Sequence, residues 1–312
     1  MNSEIRKDYI QDKYVIIAPR RGKRPRDIEV PQRQTTFLKS GCVFCPKNID
    51  KSGKVWLTFK ETAQAGEPWA VKVLNNKYPA VAENNPEAYG HQEVVVETPD
   101  HMEEVEDLTN ERIAKIFEAY AQRTTAIAKD KKIEYILIFK NDGGAAGASL
   151  RHAHSQIFAT KFLPPHLQDK SQKVQAYKLE HGSCIYCDVI KKESKGPRFV
   201  FEDSNAIAFC PWAPMHNYEI WLMPKRHLDN ITLLTNPERL SFAKILKRIL
   251  VKINMLNLPY NYYFHQVIND EDQHLYLKFT PRGSIWAGVE IGSGLIINPV
   301  PPEDAAKFYR KK

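Results

Sequence analysis

The chain has 312 residues, 45 Lys+Arg against 37 Asp+Glu, a net charge of +8, and 43% apolar and 26% charged residues. This composition excludes a disordered, collagenous or fibrous chain, and at roughly 150 residues per domain the length suggests about two domains. No run approaches the ~18 consecutive apolar residues that a membrane span requires, so no membrane partner is expected.

Residues 1–8 carry no apolar core and no small-residue cleavage site, so the sequence is expected to be cytoplasmic. Arg20 to Arg26 form a basic cluster that, taken alone, is a solvated charge run. Cys42 and Cys45 form the first of two Cys-x-x-Cys pairs; Cys184 and Cys187 form the second, and Cys210 stands apart. In a reducing compartment such pairs are metal ligands or redox couples rather than disulfides. Neither pair opens a recognisable βαβ unit, which argues against a thioredoxin-like couple. Cys210 reads as a small buried apolar residue.

From residue 93 the chain rehearses a pattern that returns at residue 219. Glu93 and Glu219 each open an apolar, strand-like run, followed by a proline and by His101 or His227 eight residues after the acid. Eight residues later come Thr109 and Thr235, each preceded by leucine. A helical pattern follows: Ile113, Ile116, Phe117 and Tyr120 in one copy, Leu240, Ala243, Leu246, Ile249, Leu250 and Ile253 in the other. Asn110 and Asn236 are the expected N-caps. Strand-like runs follow at residues 133–139 and 260–268. The ligand order is also duplicated: Cys42, Cys45, His101, His152, then Cys184, Cys187, His227, His274. Two Cys and two His are a common structural zinc set. Two zinc ions per chain are therefore expected.

Within the first copy, the segment from Asn141 to Gln156 contains Gly143, Gly144 and Gly147, then Ser149, His152, His154 and Gln156. Glycines let backbone N–H groups approach an anion, although a tight turn alone would use them too. Residues two apart in a strand share a face, so His152, His154 and Gln156 line one surface. Both histidines could bind one metal. Alternatively His152 completes the zinc site and His154 is a nucleophile toward phosphorus. Gln156 can donate hydrogen bonds to phosphate but is no acid or base, which suits a phosphate leaving group and a transferase. The boundary between halves is expected near residues 163–180, giving 1–165 and 166–312.

This segment resembles the active-site strand of galactose-1-phosphate uridylyltransferases and their relatives in the histidine-triad superfamily. Those carry His-Pro-His-x-Gln where this chain has His152-Ala-His154-Ser-Gln156. Ile16 to Pro25 looks like the family's N-terminal arginine motif, and Val73 to Ala80 like its nucleotide-contacting loop. Gly288 to Gly294 and Asn298 to Glu303 are similar to its C-terminal segment. The resemblance implies an α+β fold of two tandem histidine-triad-like halves, each an antiparallel sheet with packed helices. It implies His154 as nucleotidyl carrier, Gln156, Gly147 and Ser149 at phosphate, Asn76 and Asn141 on the nucleotide, and Arg21 and Arg24 on its phosphates. It also implies a homodimer acting on a nucleotide sugar and a sugar 1-phosphate.

The expected activity is UDP-glucose:hexose-1-phosphate (galactose-1-phosphate) uridylyl transfer, with ADP-glucose or dinucleoside polyphosphate phosphorolysis as the alternative. Tyr276 stands where a second nucleophile or an iron ligand would be, so the second half is read as catalytically degenerate. Ser284 and Val289 stand near positions where galactose enzymes place a lysine and a tyrosine that hold the hexose. The rival from another class is a noncatalytic nucleotide or RNA binder. It would use the net charge, the arginine cluster and the aromatic run Tyr260 to Phe264. Nucleic acid is otherwise not an expected partner.

Overall fold

A computed structural model describes residues 2–24, 41–60, 69–268 and 270–311; Pro25 and Arg26, part of the arginine motif and basic cluster, lie outside the described residues. The chain runs β1 (Glu4–Lys7), β2 (Tyr14–Ile17), β3 (Val55–Phe59), β4 (Val71–Asn75), β5 (Gly90–Val96), α1 (Asn110–Ile127), β6 (Tyr135–Asp142) and β7 (His154–Thr160). It continues through α2 (Pro165–His181), α3 (Ile185–Glu193), β8 (Phe199–Glu202), β9 (Ala206–Phe209), β10 (Ile220–Pro224) and α4 (Asn236–Met255). It ends with β11 (Tyr260–His265), β12 (Tyr276–Pro281), α5 (Gly288–Ser293), β13 (Ile296–Asn298) and α6 (Pro302–Arg310).

The duplicated sequence folds as mirrored halves of one sheet. Ten antiparallel strands run β3-β4-β5-β7-β6-β11-β12-β10-β9-β8. Each strand of the first half has its counterpart at the same distance from the β6–β11 junction, and α1 corresponds to α4. The halves therefore meet edge to edge, with Asn261 opposite Asn141 and Tyr260 opposite Asp142. No sheet edge is left at the centre, where an unpaired ladder would be costly.

Alternation along each strand decides which face is covered. Ile136 and Ile138 on β6, Ile157 on β7, and Tyr260, Tyr262 and Phe264 on β11 are buried in the core cluster. They meet Ile113, Ile116, Phe117 and Tyr120 of α1, and Phe242, Leu246, Ile249 and Ile253 of α4, in that same cluster. Phe117 packs edge-on against Phe242 and Phe264 at 6.1 and 6.0 Å, joining the two halves through one core. The helix caps sit one residue earlier than expected. Thr109 and Thr235 hold extended backbone and accept from the N–H of Arg112 and Glu238, so Asn110 and Asn236 are already helical. A threonine hydroxyl three residues before a free amide makes the better cap here, and Glu238 completes a capping box. Leu240, expected in the core, is 41% exposed. A three-residue step falls roughly 60° behind a helical turn, so the series from Leu240 to Ile249 drifts to the opposite face.

The expected boundary region is occupied by α2, and the hairpin at the N-terminus crosses to the other end of the chain. β2 pairs in parallel with β13. Arg6 bonds Glu303 at 3.0 Å, and Arg198 joins Glu303 at 2.9 Å to Glu193 at 2.7 Å. Beyond β12, Ile285, Trp286, Val289, Ile291 and Leu295 are exposed.

A second cluster lies on the opposite face of the sheet, around Tyr186, Trp221 and Tyr276. It encloses Lys170 of α2, whose ammonium donates to Tyr276 Oη at 2.6 Å. Burial pushes Lys170 down to about 7; Asp8 and Glu219 oppose the shift and Lys278 and Lys13 add to it. Between about pH 7 and the ordinary lysine value, the unfolded chain keeps a proton that the folded chain has shed. Stability therefore rises with pH across that window. The urea midpoint of the wild type should gain on that of Lys170→Met between pH 7 and 9. Parallel profiles would show that Lys170 stays charged.

Candidate active site and metal centres

Cys42 and Cys45 lie on a turn closed by Asn48, whose backbone N–H donates to Cys45 O and whose side chain donates to Cys42 O. His101 follows β5, and His152 immediately precedes β7 across the ladder. All four ligand atoms lie within 4.8 Å of one another. His152 Nδ1 stands 3.5 Å from Cys42 Sγ and 3.8 Å from Cys45 Sγ, and His101 Nδ1 stands 3.6 Å from Cys45 Sγ. Zinc bonds of about 2.0–2.3 Å give tetrahedral edges of roughly 3.3–3.8 Å, so these separations fit one ion. His152 Nε2 donates to Thr98 O at 2.8 Å, which leaves the Nδ1 lone pair facing the thiols. Burial drives His152 down to about 4, so the ring is neutral and ready to ligate.

Two residues on, His154 turns away from this set. Its Nδ1 donates to the backbone carbonyl of His152 at 2.8 Å. That bond fixes the tautomer and leaves Nε2 with its lone pair. Burial, then the nearby Lys140 ammonium, holds His154 below the ordinary imidazole value. Phe44 packs on the ring at 5.3 Å. Beneath the strand, Lys140 donates to His154 O at 3.2 Å and to Glu97 Oε2 at 2.5 Å. A buried ion pair thus ties the strand bearing His154 to the end of β5.

Gln156 follows on the same open face of the sheet. Its Oε1 accepts from Asn76 Nδ2 at 3.3 Å and from Gln92 Nε2 at 3.0 Å. Gln92 is oriented in turn by the backbone N–H of Ala80, which donates to its Oε1 at 2.7 Å. With its oxygen engaged twice, Gln156 presents its amide hydrogens as donors. His154, Asn141, Gly143, Gly144 and Ser149 line a cavity of ≈ 330 Å³. Gly143 and Gly147 take φ of +83° and +88°, a region that favours glycine.

The structure thus brings together His154, Gln156, Asn76, Asn141, Gly147 and Ser149 around one strand and its loop. Arg21 and Arg24 do not join them. They are exposed on the turn after β2 and line a different, small concavity with Ser284, Ala287 and Glu290. The reason is the hairpin's pairing with β13, which carries both arginines to the C-terminal segment. Sequence reasoning also missed Gln92, Glu97, Lys140 and Asn261. A lysine inside the apolar run of β6 and a glutamine alternating with Val94 and Val96 were the available signals.

In the second half, Cys184, Cys187 and His227 come within the same 4.8 Å limit. His227 Nδ1 is 3.5 Å from Cys187 Sγ, and its Nε2 donates to Glu271 O at 2.8 Å. The two thiols are driven apart by their mutual hydrogen bond, which lowers Cys184 to about 6 and raises Cys187. His274, expected as the fourth ligand, is not in this set. Its Nδ1 is held by Leu275 O at 2.9 Å, and its ring packs edge-on against His227 at 5.1 Å. Its buried Nε2 has no hydrogen-bond partner among the described residues. Tyr276, at the place of His154, is stacked between Trp221 at 4.5 Å and His265 at 4.6 Å. Lys278, at the place of Gln156, is paired with Glu219 at 2.8 Å. The positions that correspond to His154 and Gln156 are thus taken up by ring stacking and an ion pair. Among the described residues, no helix is long and apolar enough to cross a membrane.

Comparison with known proteins places these features. The family profile for galactose-1-phosphate uridyl transferase, N-terminal domain, matches residues 1–164. The ADP-glucose phosphorylase of Arabidopsis thaliana is 33% identical over 99% of this chain and 92% of its own length. The galactose-1-phosphate uridylyltransferase of Thermotoga maritima is 29% identical over 99% of this chain and 98% of its own. A crystal structure of the Arabidopsis phosphorylase with bound ADP-glucose superposes with a TM-score of 0.87 at 32% identity, covering 100% of this chain and 99% of that one.

Proposed function

The chain belongs to the galactose-1-phosphate uridyl transferase family, and we propose that it transfers a nucleoside monophosphate from a nucleotide sugar to a second phosphate through a covalent intermediate on His154 Nε2. It is a nucleotidyltransferase. The observation that carries the assignment is the tautomer: His154 Nδ1 is committed to His152 O, so Nε2 can attack.

In the first half-reaction the Nε2 lone pair attacks the α-phosphorus. The phosphorus–oxygen bond to the sugar phosphate breaks, and sugar 1-phosphate leaves with the bonding pair. The Nδ1–H bond to the His152 carbonyl stabilises the positive ring that results. Gln156 donates to a nonbridging oxygen, helped by Ser149 and the glycine loop. No proton has to reach the leaving group, because a phosphate leaves without one. In the second half-reaction an oxygen of the acceptor phosphate attacks the same phosphorus, and the nitrogen–phosphorus bond returns its pair to Nε2. A noncatalytic binder would need neither the fixed tautomer nor the oriented Gln156 amide.

We assign UDP-glucose and a hexose 1-phosphate as the first substrate pair. Phosphorolysis of ADP-glucose is the second reading, favoured by the likeness to the Arabidopsis phosphorylase and by Ser284 and Val289. Zinc is the metal we assign to both Cys/His sets, with the buried His274 Nε2 completing the second. It would hold His152, and through it the carbonyl that positions His154. We read the second half as catalytically silent and the protein as cytoplasmic. We also propose a homodimer. The arginines that a nucleotide's phosphates would need lie away from His154, beside the exposed apolar run from Ile285 to Leu295. Pairing of two chains would cover that run and bring Arg21 and Arg24 to the partner's site.

Incubation with α-phosphate-labelled UDP-glucose or ADP-glucose, without acceptor, should leave acid-labile, base-stable label on the protein and none on His154→Ala. The donor that labels identifies the base, and no label from either would defeat the assignment. Elemental analysis should find about two zinc per chain, from two four-ligand sets. His152→Ala should lose one and melt lower, while His154→Ala keeps both. Finally, Arg24→Ala and His154→Ala, each impaired alone, should regain up to about a quarter of the wild-type sites when refolded as a mixture, by random pairing. Failure of the mixture to recover would place the arginines' action within one chain.

A further inference from the structure

We infer that Asn261, on the strand that the second half contributes to the junction, is a positioning residue that sets the orientation of Asn141 toward the transferred phosphate. This rests on the nucleotidyl-transfer reading above. Asn261 is the direct cross-strand neighbour of Asn141. Its side-chain nitrogen donates to the backbone carbonyl of Ala146 at 2.7 Å and to Asn141 Oδ1 at 2.8 Å. The logic is one of donors and acceptors. A backbone carbonyl can only accept, so Ala146 fixes which end of the Asn261 amide faces the glycine loop. That end is the NH₂ group, and it dictates that Asn141 offers its oxygen in return.

Asn141 Nδ2 is thereby turned the other way. It faces Gly147, where an added Cβ would lie 3.5 Å from it. Gly147 has no such carbon, so the amide stands open toward the loop that precedes Ser149. Asn141 also lines the cavity that holds His154. Without Asn261, the Asn141 amide loses the contact that distinguishes its two ends. The same two hydrogen bonds tie the loop of the catalytic half to a strand of the half that lacks a nucleophile.

The test follows label transfer to His154 from nucleotide sugar at subsaturating concentration, in the full-length protein. Asn261→Ala should slow labelling by roughly 10- to 100-fold, the scale of losing one or two buried hydrogen bonds. Asn261→Asp, which keeps the shape but has no hydrogen to donate, should slow it at least as much. Both should retain wild-type metal content and melting temperature within a few degrees. The readout that a merely structural role would not reproduce is a double-mutant cycle. Asn141→Ala/Asn261→Ala should label no more slowly than Asn141→Ala alone. Wild-type rates in both Asn261 variants, or losses that multiply in the double variant, would overturn this inference alone. A wild type that takes no label would overturn it together with the nucleotidyl-transfer reading.

Discussion

The hydrogen bond from His154 Nδ1 to the carbonyl of His152 is the contact on which the rest of the site depends. His152 works at both ends. Its ring faces two thiols and a second imidazole, while its backbone oxygen selects the tautomer of the residue two positions on. His152 lies in the bend just before β7, and this places its carbonyl within reach of the ring that opens the strand. A ring free to rotate would present either nitrogen, and nucleophilicity would be shared between them. The geometry needs His152 held rigidly, and four ligands closing on one ion would supply a strong local restraint.

The second restraint comes from below the sheet. Lys140 and Glu97 form an almost fully buried ion pair, and Glu97 also accepts from Tyr120 at 3.3 Å and Tyr262 at 3.4 Å. Burial is the largest single effect and would lower Lys140, but the charges of Glu97, Glu104 and Asp142 and the hydrogen bond to Glu97 together outweigh it, and the ammonium is retained. Such pairs seldom add much net stability, since desolvation consumes most of the attraction. Their value here is positional. Lys140 also donates to His154 O, so strands β5, β6 and β7 are locked in register at His154. Tyr262 brings a strand of the second half into the same network.

How much of this was legible depended on whether the relevant geometry was local. The duplicated order of cysteines, histidines, helices and strands foretold two similar halves, because each repeat is one unit of chain that folds the same way, but not that their sheets would join edge to edge into one. The Cys42, Cys45, His101, His152 set followed from ligand chemistry, and the face shared by His154 and Gln156 followed from strand period, although His152 lies in the bend before the strand. What escaped was set by contacts distant in sequence. Arg21 and Arg24 are carried off by a hairpin that pairs with β13 some 280 residues later. His274 shares a sequence position with His152, but Thr98 O holds the Nε2 of His152 whereas Leu275 O holds the Nδ1 of His274, so the two rings offer opposite nitrogens. Gln92 and Asn261 act by orienting another amide, and nothing in a sequence says which end of an amide is engaged.

The fate of the second half follows from its packing. Where the first half has His154 and Gln156 the second has Tyr276 and Lys278, and Tyr276 stacks with Trp221 and His265 in a cluster closed by α2 and the N-terminal hairpin. Yet the half cannot be removed. Its strand β11 completes the hydrogen bonding of β6, its α4 covers the core shared with α1, and its Asn261 reaches the loop of the other half. The two halves are therefore held as one unit by a shared ladder, a shared core and the bonds of a single amide at their junction.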